Sequence, residues 1–207
     1  MNAEFRLNGK VIETDRLILR PFEMNDLDDF FEYASVEGVG ERAGWSHHKT
    51  KEESLAILNR FIEHDKTFAI CLKENNKVIG SLGVEKYGLE DALSEFFPYK
   101  GREIGYVLSK NYWEQGLMPE AAKAVIDFLF NERNLDFILC GYYCFNVQSQ
   151  RVQKKCGFKP YRRLVMDTQM GTKEEGVLSL LTNPNKTIKL NFSHPETLIY
   201  GRNFDSI

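Results

Sequence analysis

Two stretches of the chain combine residue types and spacings that could hold a phosphorylated ligand. The first runs Ile104-Gly105-Tyr106-Val107-Leu108 to Tyr112-Trp113-Glu114-Gln115-Gly116-Leu117-Met118-Pro119-Glu120-Ala121. A strand ends, a short loop with one glycine follows, and a helix opens with Pro119 near its first position. The first turn of a helix leaves backbone N–H groups unpaired and carries partial positive charge. A glycine there lets an anion approach the backbone closely. A plain strand-to-helix connection has the same appearance, and the stretch is neither a P-loop nor a G-x-G-x-x-G turn. The second stretch is Asn146-Val147-Gln148-Ser149-Gln150-Arg151-Val152-Gln153-Lys154-Lys155-Cys156-Gly157-Phe158. Asn146 can cap the helix that follows it. Arg151, Lys154 and Lys155 share one helical face, which reads either as a solvated surface or as a cationic rim for a phosphorylated ligand.

The elements that must position these residues follow from periodicity. Residues 12–20 read as a strand stopped by Pro21, and 22–36 as a helix ended by Gly38 and Gly40. Thr50 with Glu53 is a capping box opening a helix over 51–65. Strands are expected at 68–72 and 78–87, joined by a turn at Glu74-Asn75-Asn76-Lys77. Residues 88–101 read as a loop with room for a helical turn, 102–108 as a strand and 119–134 as the clearest amphipathic helix. A strand at 137–145, a short helix at 146–156 and strands at 158–166 and 177–181 complete the order. This predicts one α/β domain over 12–182 and a C-terminal extension over 183–207.

Composition bounds the function. The chain has 207 residues, 43% hydrophobic and 28% charged, with a net charge of -3. Disorder would need far fewer apolar residues. A pI near 5.9 argues against a nucleic-acid backbone binder. No apolar run approaches the length of about 18 residues that spans a bilayer, so no membrane partner is expected. The cysteines at 71, 140, 144 and 156 form no Cys-x-x-Cys pair, and no histidine stands at ligand spacing to them. No metal site is expected, and the thiols read as free packing residues of a cytoplasmic protein.

Taken together, the residues resemble the GNAT superfamily of N-acetyltransferases, and within it the ribosomal-protein alanine acetyltransferase branch. The resemblance is carried by Thr14-Asp15-Arg16-Leu17-Ile18-Leu19-Arg20-Pro21, Ile79-Gly80, Glu103-Ile104-Gly105-Tyr106, the 113–121 stretch, and Asn146-x-x-Ser149-x-Arg151-Val152 with Lys155-Cys156-Gly157-Phe158. It implies a mixed central sheet of about seven strands with a splayed cleft for CoA, flanked by about four helices. It implies acetyl-CoA as cosubstrate, paired by its pantetheine arm to the strand holding Val107 and Leu108. The loop of Gln115, Gly116, Leu117, Met118 and Glu120 would cradle its pyrophosphate. Asn146 would hydrogen-bond the cofactor, with Arg151 and Lys155 at the rim. Ser149 would sit near the sulfur and protonate the departing thiolate. Its alternative role is at the helix start.

Glu103 could serve as general base through a water, or be a structural strand residue. An α-amine of pKa about 8 needs less help from a base than a lysine at about 10.4. A bulge at Gly105 would turn Glu103 and Tyr106 to one face. The loop Gly44-Trp45-Ser46-His47-His48-Lys49 borders the acceptor pocket in relatives, so Trp45, His48 and Tyr106 are the expected acceptor contacts, with a helix-entry role as the alternative for His48. The implied reaction is direct acetyl transfer to a primary amine, either a protein N-terminus or a small molecule. A non-catalytic acyl-CoA sensor or interaction protein is the alternative. The extension has apolar residues around Ile188 and Leu198, and is expected to add a strand to its own domain or to a neighbour's edge in a homodimer.

Overall fold

The computed structural model describes residues 1–88 and 90–189, together with the backbone of 198–200. It is a mixed α/β structure that packs as two compact units. The N-terminal unit comprises Phe5–Val84 and Gly105–Val125. The C-terminal unit comprises Met1–Glu4, Glu85–Ile104 and the described part of Ile126–Ser206.

In the N-terminal unit, β1 (Ile12–Glu13) and β2 (Leu17–Pro21) replace the single strand expected over 12–20. The chain turns between them because the Thr14 N–H donates to the Leu17 carbonyl at 2.9 Å and the Thr14 hydroxyl accepts the Leu17 N–H at 2.9 Å. β2 pairs antiparallel with β3 (Thr67–Leu72), and β3 with β4 (Val78–Glu85). Helix α1 (Leu27–Ala34), entered through a single turn at Met24–Asp26, and α2 (Lys51–His64) bury Phe30, Tyr33, Leu58 and Phe61 with Phe22, Ala69 and Val78. Thr50 caps α2 as expected, its side chain accepting the Glu53 N–H, but the Glu53 carboxylate returns to the Lys49 N–H at 2.6 Å, one residue before the cap, so the box is only half formed. A buried bidentate pair, Arg20 with Asp26 at 2.7 and 2.8 Å, ties the end of β2 to the turn before α1.

β5 (Gly101–Leu108) and α3 (Leu117–Asn131) each contribute to both units. In the C-terminal unit β5 pairs parallel with β6 (Phe137–Tyr143), from Gly101–Phe137 to Glu103–Leu139, where the ladder ends. β6 then pairs antiparallel with β8 (Lys173–Thr182), and β8 with β7 (Lys159–Asp167). Helix α4 (Val147–Lys155) lies between β6 and β7 in sequence. Residues 91–96, within the expected loop, form the helical turn allowed for there, a short 3-10 segment whose Leu93 and Phe96 join the core with Phe137, Leu139 and Leu178. Within the extension, Asn183 is buried and donates to the Leu135 carbonyl, Lys186 pairs with Asp136, and Ile188 packs on that core. β9 (Leu198–Tyr200) adds parallel to β7. The described residues thus hold nine strands rather than about seven, with the expected four α-helices. The rest of the extension lies outside the described residues.

Candidate acetyl-donor and acceptor site

The end of β5 is built from backbone geometry. The Ser109 N–H donates to the Ile79 carbonyl at 2.7 Å. The Val107 carbonyl approaches Gly80 so closely that a Cβ there would lie 2.4 Å from it, which is why β4 carries a glycine at this point. Strand alternation then points the N–H groups of Tyr106 and Leu108 away from β4. The Leu108 carbonyl is taken by the Trp113 indole N–H at 2.8 Å. The Val107 side chain packs on the unit's core, as do Trp113 and Trp45. Two cations flank Trp113: Arg42 lies 5.3 Å and Lys110 5.9 Å from the ring centroid.

The loop after β5 tightens through two left-handed residues, Glu114 at φ 62° and Gly116 at φ 78°. Helix α3 then begins at Leu117, two residues before the expected start. Pro119 is therefore its third residue and supplies no N–H. The Glu120 N–H closes the first intrahelical bond to the Gly116 carbonyl at 3.2 Å. The N–H groups of Gly116, Leu117 and Met118 have no acceptor inside the helix. Leu117 and Met118 bury their side chains, so they can offer a ligand only their amides. Gln115 is exposed and its side chain donates to the Asn111 carbonyl.

Glu120 faces inward from this cradle. It accepts from the Thr14 hydroxyl at 2.6 Å, from the Arg16 N–H at 3.0 Å and from the Arg16 guanidinium at 2.8 Å. Burial would raise its pKa, but these donors outweigh that and hold the carboxyl below its ordinary range. Arg16 also donates to the Gln115 carbonyl at 3.0 Å. Sequence reasoning quoted Arg16 only as part of the resemblance. Its partners lie about a hundred residues away, and no local pattern links them.

The loop before α2 is equally ordered. Glu41 accepts from the Gly38 and His47 N–H groups and from the His47 Nδ1–H at 2.7 Å. Burial opposes ionisation, yet these three donors pull its pKa down to about 2. The Lys49 Nζ stands against the other ring nitrogen of His47. His48 shares a 2.7 Å hydrogen bond with the buried Ser54 hydroxyl and stands edge-on to Phe30. Burial lowers its pKa, Glu53 works against that, and His47 adds to it. Trp45 packs 5.1 Å from His48, over Gly40. Trp45, His48 and Tyr106 are all half-buried residues of the N-terminal unit.

The C-terminal unit holds the other expected residues. Glu103 is buried on β5 opposite Leu139, at the last rung of the parallel ladder. The buried Asn146 caps α4, its side-chain oxygen accepting the Ser149 N–H at 3.1 Å. Ser149 is half-buried in the first turn, and Arg151, Lys154 and Lys155 are exposed along α4. Beside α4, a cavity of about 410 Å³ is lined by Tyr142, Cys144, Gln150 and Arg163 among others. Cys144 is exposed, which corrects its reading as a packing residue, whereas Cys71 and Cys140 are buried. Among the described residues there is no group of three or more side chains able to hold a metal ion. No described helix is long and apolar enough to cross a membrane.

Comparison with known proteins bears on the family and the fold. An uncharacterised N-acetyltransferase of Bacillus subtilis, YnaD, is 31% identical over 149 residues, spanning 72% of this chain and 82% of that protein. A GNAT-family acetyltransferase structure from Bacillus anthracis shares the fold at TM-score 0.73 and 24% identity, over 84% of this chain and 99% of that one. The ribosomal-protein-S5-alanine acetyltransferase of Vibrio fischeri does so at TM-score 0.67 and 21% identity, over 86% and 99% of the two chains. Residues 16–159 match the family described as the acetyltransferase (GNAT) domain, and the chain belongs to that family.

Proposed function

We propose that this protein moves an acetyl group from acetyl-CoA to a primary amine, either a protein N-terminus or a small molecule, by direct transfer in a ternary complex in the cytoplasm. The observation that carries the reading is the set of open amides at Gly116, Leu117 and Met118, reached through a left-handed glycine at the end of the loop that follows β5. These would bind the pyrophosphate. The pantetheine arm would pair with the β5 amides that face away from β4, and the Leu108 N–H would polarise the thioester carbonyl. Asn146 would contact the arm, with Arg151 and Lys155 at the phosphate rim. Trp45, His48 and Tyr106 would contact the acceptor.

The amine nitrogen attacks the thioester carbon, and the tetrahedral intermediate collapses with loss of the CoA sulfur. Glu103 accepts the amine's proton through a water, and Ser149 donates a proton to the leaving thiolate and takes one back from solvent, while Glu103 returns its own to solvent. Neither a covalent enzyme intermediate nor a metal enters the scheme. The test is thiol release from acetyl-CoA across a panel of amines, with each acceptor weighed by mass spectrometry. Release that depends on the amine, with one acetyl group gained by the acceptor, is expected. Tight CoA binding with no acceptor turned over would replace the enzyme reading with that of an acyl-CoA sensor.

A further inference from the structure

Arg16 lies in the turn between β1 and β2, far in sequence from the phosphate cradle, yet its guanidinium borders it. A guanidinium carries five N–H donors. Nε gives its proton to Glu120 Oε2 at 2.8 Å, Nη2 lies 2.6 Å from the same oxygen, and Nη1 donates to the Gln115 carbonyl at 3.0 Å. Three donors are spent, leaving one on Nη1 and one on Nη2. Paired guanidinium N–H groups are what arginine presents to phosphate oxygens. Nη2 lies 3.6 Å from where a Cβ on Gly116 would stand, and no other heavy atom outside the adjacent residues comes within 4 Å of that point. The Arg16 side chain is half exposed, so the pair is open to a ligand.

We infer that Arg16 is a second arm of the pyrophosphate cradle, adding a charged two-pronged donor to the amides of Gly116, Leu117 and Met118. The inference rests on the acetyl-CoA reading above. Glu120 is then the residue that aims the guanidinium: it takes up one side of Arg16 and leaves the other facing the glycine. A carboxylate next to a diphosphate would otherwise repel it. The hydrogen bonds from Thr14 and Arg16 keep that charge engaged on the side away from the ligand.

The test compares CoA with pantetheine, which lacks every phosphate, by calorimetry on the wild-type protein, Arg16→Gln and Arg16→Lys, with thermal melts as a check on folding. Arg16→Gln is expected to weaken CoA at least about tenfold and pantetheine less than about twofold. Arg16→Lys should recover part of the CoA loss, because an ammonium restores the charge but not the paired donors. Unchanged CoA affinity in Arg16→Gln overturns the inference. Equal losses for CoA and pantetheine also overturn it, since that pattern means the side chain only braces the loop. If Arg16→Gln does not fold, Arg16→Lys decides: a CoA-selective loss of about threefold or more supports the contact, and no selective loss removes it. A wild-type protein that binds neither probe sinks the acetyl-CoA reading itself, and this inference with it.

Discussion

Asn146 uses its side-chain oxygen to cap α4, so its structural and ligand roles can be separated by choice of substitution. Asp is as good a cap as Asn, whereas Ala loses about 1 kcal/mol. Asn146→Asp should therefore leave the melting temperature near that of wild type. If the amide nitrogen contacts CoA, the same change should weaken CoA about tenfold or more, because it swaps a donor for a negative charge. Unchanged CoA affinity in a folded Asn146→Asp protein would take Asn146 out of the cofactor site. Glu103 calls for a kinetic test. Glu103→Gln should slow turnover most below the amine's pKa and progressively less above it, since a neutral amine needs no base. A pH–rate profile parallel to wild type from about pH 6 to pH 9, where an α-amine of pKa about 8 titrates, would leave positioning of the amine as the main source of rate. Both residues stand out in the sequence as candidates because each belongs to a short local pattern: Asn146 three residues before Ser149, and Glu103 on the strand entering the glycine loop. Arg16 does not, because its partners are brought to it only by the fold.

The loop before α2 couples an element's entry to a titrating group. His48 packs half-buried against Ser54, Phe30 and Trp45, and its pKa is lowered below its ordinary value of 6.5. The groups acting on it are the Glu53 carboxylate, which favours the charged ring, and the neighbouring His47, which disfavours it. In the unfolded chain His48 takes up a proton as pH falls through about 6.5, while in the folded chain it does so only at lower pH. Stability from this group is therefore full above about pH 6.5 and is lost as pH falls through the folded value. His48→Gln, which can still bond to Ser54, should flatten the decline in melting temperature between about pH 6.5 and pH 5. A wild-type decline no steeper than the variant's would show that the ring charges without cost. The capping box at Thr50 and Glu53 announced α2 in the sequence because its signal is local. The early start of α3 was hidden, because Pro119 reads as a first helical residue when nothing shows that Gly116 has already turned the chain.

Across the whole chain, the part least legible in sequence is how the ends are used. Short apolar pieces after residue 182 signalled that the extension is ordered, but not where it goes. The fold spends Asn183, Lys186 and Ile188 on the C-terminal unit and lays β9 along β7. The strand addition expected of the extension is thus met within its own unit. Removing everything after Pro184 would delete the Lys186–Asp136 pair and the half-buried Ile188, and would uncover the outer edge of β7. An ion pair at the surface with both side chains half-buried contributes up to about 1 kcal/mol, and partial burial of an isoleucine about 1 kcal/mol, a fraction of its full transfer value. Together they correspond to a fall of about 2–8 °C in melting temperature for a chain of this size. The second consequence is colloidal. A strand edge stripped of its partner presents unpaired backbone groups, the usual route to edge-to-edge association. The truncated protein should therefore melt lower and show a solution mass that rises with concentration, measured by light scattering beside the full chain. Equal melting temperatures and equal masses in the two proteins would mean that β9 and the residues around it add nothing to the fold.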